Sequence, residues 1–420
     1  MYFKRRLLGN TLAYAYNFSP YYSEAFKGYE DCWMGDQVDL DQFGRLPTLT
    51  KRTVKEEFEK LKSKEAPRLN TRINRSGGST GRPTVHMQDE YFRQMDMANN
   101  LLFRSWCGVR PGSGSLFVAA DERDYFGNPK DVKKKFIDAL LNKHYFNAFR
   151  LNDDTFAEMA DYINRKRPSY VQMYMSAAYE FSRFILRNGL RIASPRMVMC
   201  VAGTTHHDML DVVERAFGTK VNARYGSRET GDMAGMCTNR QYHEIPFTHH
   251  IDILDDNDRP VKCGEPGHIA VTVLTNRAMP LIRYKIGDLG IWSEQTCNCG
   301  LKFRAIKKIV GRTGEVIRNT HGKIILPEIF IHLVGVALGR LSDDIDTFQV
   351  VQTKERKIEV RLVLRNGVDP RKFRPSLVDL EEKITKVLED ESKVETIFVN
   401  EIPRLPSGKY SYTLSDLDQE

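Results

Sequence analysis

Between residues 170 and 225 the apolar positions fall in short unbroken runs, and amphipathic stretches separate them. Tyr170-Val-Gln-Met-Tyr174, Arg196-Met-Val-Met-Cys-Val-Ala202 and Lys220-Val-Asn-Ala-Arg-Tyr225 read as strands, with helices from Ala177 to Asn188 and from His207 to Phe217 between them. Strands that are apolar throughout and alternate with helices of this length predict a parallel sheet covered on both faces. Upstream, Ser115-Leu-Phe-Val-Ala119 reads as another buried strand, while Asp131 to Tyr145 and Asp153 to Lys166 carry helical periodicity. The first 70 residues are polar and helix-rich.

From Ile245 to Trp292 the pattern shifts to β, with His268-Ile-Ala-Val-Thr-Val-Leu274 as its strongest run. Asp255-Asp-Asn-Asp258 reads as a solvated hairpin turn, since it lacks the spacing of a calcium loop. Past the glycine-bearing segment Gly311-Arg-Thr-Gly-Glu315 comes a compact unit. Its strands are Phe348 to Gln352, Ile358 to Arg365 and Thr396 to Val399, and its helix runs from Pro375 to Asp390. The expected fold is therefore α/β. A large N-terminal domain, residues 1–311, has parallel-rich sheets and helices, and a small mobile α+β domain covers 312–420.

The bulk numbers narrow the class. At 420 residues the chain is long enough for two domains, and 41% hydrophobic with 28% charged residues is ordinary for a globular protein. The net charge of +8 suits an anionic small ligand and does not call for nucleic acid. No run is long enough to span a membrane, and the basic start Met1-Tyr-Phe-Lys-Arg-Arg-Leu-Leu lacks the apolar core of a signal peptide. Seven cysteines do not make a disulfide framework in a chain of this size, so a reducing, cytoplasmic setting is expected.

Candidate chemistry begins at Ser76-Gly-Gly-Ser-Thr-Gly81, three hydroxyls and three glycines with no bulky side chain. Backbone amides of such a loop approach a ligand closely and make a nest for phosphate oxygens. A Walker loop is excluded, because Gly81-Arg-Pro83 stands where that motif needs Gly-Lys-Ser/Thr. Read alone, the segment fits a flexible polar loop equally well. In an open parallel sheet ligands sit beyond the carboxyl ends of the strands. Ala202-Gly203-Thr204-Thr205 and Tyr225-Gly226-Ser227-Arg228-Glu229 are two such ends.

Five segments then fall in one order: Ser76–Gly81, Tyr225–Glu229, Tyr284-Lys-Ile-Gly-Asp288, Gly311-Arg312 and Pro406-Ser-Gly-Lys409. This order resembles the adenylate-forming superfamily of acyl-CoA synthetases, peptide-synthetase adenylation domains and luciferases. The wording is nearest to the phenylacetate–CoA ligase branch and the related proteins of capsular-polysaccharide clusters. The resemblance runs from about residue 70 to 410 and implies two half-reactions. A carboxylic acid attacks ATP to give an acyl-adenylate and pyrophosphate, and a thiol, CoA, then displaces AMP.

It also assigns roles. Ser76, Gly77, Gly78, Ser79, Thr80 and Gly81 close on the ATP phosphates, and Glu229 holds Mg²⁺, for which one carboxylate suffices beside phosphate ligands. Gly203, Tyr225, Gly226 and Ser227 border the nucleotide, Asp288 accepts from the ribose hydroxyls, and Arg312 contacts ribose or phosphate at a hinge. Lys409 stabilises the charge that builds at the α-phosphate. Two departures stand out. The hinge carries Gly314 and Glu315 where an aspartate or lysine is usual, and Gly78 replaces a hydroxyl residue.

Cys237, His243, Cys297 and Cys299 offer three thiols and an imidazole. Such a set completes a tetrahedral Zn²⁺ site, although a Cys-x-Cys pair alone is more often two ordinary reduced thiols. The resemblance favours a structural zinc that pins the loop after Glu229. His206 and His207 open the helix after Gly203 and could face the substrate or cap the helix, with capping the preferred reading. Other acceptors, namely an amine, a hydroxyl or a carrier protein, remain open, as do AMP transfer and an inactive nucleotide-binding scaffold. Oligomeric state is open too, a homodimer included.

Overall fold

The computed structural model describes residues 2–33, 38–75, 84–119, 132–148, 151–201, 203, 205–312, 316–321, 324–325, 327–338, 344–403 and 411–417. The chain divides into two compact units, Met1–Ile309 and Val310–Glu420.

The first unit is built on an eleven-stranded sheet. At one edge lie Lys143–Asn147, Ser115–Ala119, Tyr170–Tyr174, Met197–Val201 and Val221–Ser227, all parallel. The sheet then turns antiparallel through Gly231–Met236 and Tyr242–Glu244, and continues with Ala305–Arg312, Tyr284–Trp292, Pro266–Val273 and His249–Leu254. The apolar runs predicted as strands are those of the parallel block. Met197–Val201 is buried at every position, as a central parallel strand requires.

One boundary differs. The helix expected from Asp131 to Tyr145 spans Val132–Leu140, and Lys143–Asn147 is the edge strand. Asn142, with φ 52, stops the helix in a left-handed residue, and the β-prone Tyr145 and Phe146 follow at once.

The helix Met175–Arg187 buries Phe181, Phe184 and Ile185, and His207–Phe217 buries Leu210, Val213 and Phe217. Each fully buried side chain of this size contributes roughly 1.5–3 kcal/mol. On the antiparallel side Arg283 is fully buried. Its guanidinium donates to the carbonyls of Gly44 and Leu46 and, at 3.0 Å, to that of Asp258. Thr48 and Lys285 both bond the Asp258 carboxylate, so this residue of the expected solvated turn instead ties the N-terminal segment to the strand Tyr284–Trp292.

The second unit has a four-stranded sheet in the order Val394–Phe398, Ile358–Leu364, Ile345–Gln352, Thr413–Ser415. The helix Arg374–Leu388 packs Leu380, Ile384 and Leu388 into one core with Phe330 and Val334 of the helix Pro327–Leu338. Neither that second helix nor the last strand was expected from the sequence. No described helix is long and apolar enough to cross a membrane.

Candidate active site and metal centre

The residues expected to border a nucleotide meet where the sheet changes from parallel to antiparallel. Gly203 follows the strand Met197–Val201, and a Cβ there would lie 3.1 Å from that of Met175. Two residues on, the Thr205 hydroxyl bonds the Tyr242 hydroxyl. The Tyr242 ring stands edge-on to that of Tyr225, with centroids 6.4 Å apart. Tyr225 in turn donates to Oδ2 of Asp288 across 2.8 Å. Burial pushes the Tyr242 phenol far above its ordinary pKa, so it stays a neutral hydrogen-bonding group.

Glu229 sits in the turn between Val221–Ser227 and Gly231–Met236. The Ser227 hydroxyl closes that turn. It bonds the Thr230 hydroxyl at 2.9 Å and accepts from the Thr230 amide at 3.2 Å. The carbonyls on either side of Glu229 are both held. Arg228 accepts from His86 Nε2 at 3.0 Å and from Gln88 at 2.7 Å, and Thr230 accepts from His249 Nε2 at 2.7 Å. Glu229 is buried, and no described residue donates to its carboxylate. Burial holds His86 below its usual pKa, against the pull of the Glu229 charge, so its imidazole is a neutral donor.

His86, Gln88 and His249 went unrecognised in the sequence. Nothing local marks them, since each acts through a carbonyl far away along the chain. The single hint was that His86 and Gln88 follow directly on the serine- and glycine-rich loop.

Cys237, His243, Cys297 and Cys299 converge, their ligand atoms all within 4.8 Å of one another. Cys237 and Cys297 Sγ are 3.7 Å apart, and His243 Nε2 is 3.2 Å from Cys299 Sγ. Zn–S bonds in a tetrahedral site set an S···S edge of about 3.8 Å. His243 Nδ1 donates to the Phe303 carbonyl at 2.9 Å, which fixes the tautomer with a free lone pair on Nε2. Burial raises the Cys297 thiol, but the Cys299 amide, Asn239 and His243 outweigh it and bring the pKa to about 6. The donor set, its spacing and the held imidazole all fit a closed zinc site.

The expected capping role of His206 is not what the structure shows. It occupies the N-cap position of His207–Phe217 but makes no side-chain cap bond. It is buried, and that burial, with the nearby Lys308 ammonium, lowers its pKa to about 3. Ser76–Gly81, Gly314, Glu315 and Lys409 lie outside the described residues, as does the side chain of Arg312, which ends the strand Ala305–Arg312.

Residues 317–416 match the family model of the CapK C-terminal domain. A phenylacetate–coenzyme A ligase of Thermus thermophilus is 27% identical over 154 residues, which is 35% of this chain and 33% of the ligase. The match thus spans about a third of that relative's length. Among solved structures, 2-hydroxyisobutyryl-CoA ligase in the postadenylation state with R3-HIB-AMP superposes with a TM-score of 0.75 at 19% identity, covering 98% of this chain and 88% of that one. The amide bond synthetase McbA from Marinactinospora thermotolerans superposes with a TM-score of 0.54 at 15% identity, covering 79% and 65%. The chain thus has the fold of the adenylate-forming ligases, and its residues 317–416 are similar to the CapK C-terminal domain.

Proposed function

We propose that the protein is an AMP-forming ligase that activates a carboxylic acid with ATP, releases pyrophosphate and passes the acyl group to the thiol of CoA. The observation that carries this reading is the turn holding Glu229. Its carboxylate accepts no bond from a described residue while both flanking carbonyls are clamped, in the turn that follows the strand carrying Tyr225 of the Tyr225–Asp288 pair. A carboxylate so placed is suited to a divalent cation, whose remaining ligands come from the phosphates and water.

Asp288 takes the ribose hydroxyls, Tyr225 and the Gly203 backbone border the base, and Ser76–Gly81 grip the β- and γ-phosphates. The acid's carboxylate oxygen attacks the α-phosphorus, the bond to the bridging oxygen breaks, and pyrophosphate leaves; Glu229 would hold a Mg²⁺ that offsets the phosphate charge. Lys409 stabilises the charge on the α-phosphate oxygens during that step. The residues 312–420 act as the lid domain, with Arg312 at its root. The four-residue cysteine–histidine cluster holds a structural Zn²⁺ away from the chemistry.

Acid-dependent exchange of labelled pyrophosphate into ATP by the full chain tests the first half-reaction. Lys409→Ala should lower the exchange rate by about 10²–10³, the usual cost of one preorganised stabiliser. No exchange with any acid of a broad panel would refute the reading. Product analysis with CoA and with amines decides the acceptor, and an amide product would move the protein beside the amide synthetase.

A further inference from the structure

The strand that carries Asp288 loses its regular pairing where Asp288 sits. Against the neighbouring strand Pro266–Val273, His268 pairs with Leu289 and Ala270 with Lys285, so Ile269 alone faces Ile286, Gly287 and Asp288. Extra residues in one strand bulge out of the ladder and re-aim a side chain, a device found beside active sites. Here the bulge holds Gly287 in the left-handed region, φ 85, and the Asp288 carboxylate next to it meets the Tyr225 phenol.

The N-terminal segment runs along this bulge. Leu49 bridges Tyr284 in parallel: its amide donates to the Arg283 carbonyl at 3.1 Å, and its carbonyl accepts from the Lys285 amide at 2.8 Å. Following the direction of the strand, the segment reaches Gly287 two residues later. The Lys51 ammonium lies 3.0 Å from the point that a Cβ on Gly287 would occupy. It is therefore within about 8 Å of the Asp288 Cα, because consecutive Cα atoms are about 3.8 Å apart. Thr50 caps the helix Lys51–Glu56 by accepting from the Thr53 amide at 3.1 Å. That helix touches both the strand Tyr284–Trp292 and the strand Val85–Asp89, which follows Ser76–Gly81 in the chain. Lys51, Gly287 and Asp288 are all half-buried, so each is open to a ligand from solvent. A lysine that serves only solubility keeps its ammonium in water. This one lays its ammonium on a glycine that has no side chain to displace it.

We propose that Lys51 belongs to the nucleotide site and that its ammonium donates to a ribose hydroxyl that itself donates to Asp288. The inference rests on the adenylation reading above. A hydroxyl has one proton to give and two lone pairs to accept with, so a carboxylate and an ammonium hold it from two sides. Gly287 lets the two charges stand side by side, since any side chain there would fill the place of the ammonium. The N-terminal segment thus reads the sugar, and a deoxynucleotide forfeits both bonds at once.

The test is pyrophosphate exchange by the full chain with ATP, 2′-deoxy-ATP and 3′-deoxy-ATP, using an acid that supports exchange. Wild type should prefer ATP over at least one deoxy analogue in kcat/KM. In Lys51→Met that preference should fall by about ten-fold, the usual worth of one hydrogen bond from a charged donor. Lys51→Gln should lower it in the same direction and covers a failure of the methionine variant to fold. A lysine that only braces the bulge would lower kcat/KM for all three nucleotides alike. Unchanged ratios in both variants therefore overturn the inference, as does wild type that uses both deoxy analogues as well as ATP. Exchange lost with every nucleotide in both variants also overturns it, since a ribose contact alone does not abolish the reaction. No exchange by wild type with any acid removes the adenylation reading, and this inference falls with it.

Discussion

Tyr225 and Asp288 are brought together by two strands that are not neighbours in the sheet, and the phenol donates to the carboxylate at 2.8 Å. The bond orients the carboxylate, and an ionised carboxylate offers about four lone-pair sites. Hydrogen bonds to a charged acceptor are worth roughly 1.5–3 kcal/mol each. Asp288→Ala should therefore raise the KM for ATP in pyrophosphate exchange by about 10–100-fold, with less change in kcat. Tyr225→Phe removes only the orienting bond, and the rise should be roughly five-fold, matching about 1 kcal/mol. Equal KM values for wild type and Asp288→Ala would take this residue out of the nucleotide site.

The helix Glu90–Trp106 seats on the strand Gly231–Met236 through a close approach. A Cβ on Gly235 would lie 2.3 Å from two ring atoms of Phe103 and 2.9 Å from Trp106. Phe103 is buried in a cluster with Phe117, Tyr170 and Met197, so it has little room to retreat. Gly235→Ala should destabilise the protein by about 1–3 kcal/mol through overpacking, more than the entropy gained by replacing a strand glycine. Denaturant unfolding measures it. A midpoint unchanged by the substitution would mean that the helix can shift without cost.

How far the sequence could be read differs between the halves of this site. The strands ending at Val201 and Tyr225 were legible because parallel strands buried on both faces must be apolar throughout, and the glycine-marked turns after them are local signals. The roles proposed for Asp288 and Glu229 came only from the order of motifs. The clamps on Glu229 were not, because His86 and Gln88 bond the carbonyl of residue 228, and sequence periodicity carries no information on contacts of such separation. Arg224 was hidden inside its own strand: the run Lys220 to Tyr225 announces a buried strand, not an ion pair with Asp232. The edge strand Lys143–Asn147 was lost to a helical pattern that ends one left-handed residue earlier.

His206 supplies a pH dependence. Burial comes first among its causes, then the Lys308 charge, and together they lower its pKa from the ordinary 6.5 to about 3. Between those values the unfolded chain binds a proton that the native state does not, so stability falls as pH drops from about 6.5 towards 3. The loss is on the order of 5 kcal/mol at most, at 1.36 kcal/mol per pKa unit. His206→Gln should flatten that part of the stability–pH curve, and Lys308→Met should raise the His206 titration midpoint seen by NMR. Identical slopes for wild type and His206→Gln across this window would show that His206 does not stay neutral in the folded protein.

The cysteine–histidine cluster and the proposed nucleotide site share a strand, for Tyr242 and His243 are consecutive in Tyr242–Glu244. One reaches Thr205, and the other offers Nε2 beside Cys299. Chain purified under reducing conditions should contain about one zinc, read by elemental analysis. Cys297→Ser should lose it and lower the unfolding midpoint by several degrees, since an absent ligand leaves buried thiols without the ion that offsets their burial. Because the strand that carries His243 also carries Tyr242, chelation should raise the KM for ATP, with no comparable effect on Asp288→Ala, where the same side of the site is already lost. Metal-free protein with wild-type stability would leave these four side chains as ordinary reduced residues. Zinc loss that lowers stability while leaving the KM for ATP untouched would confine the metal to holding its own loop.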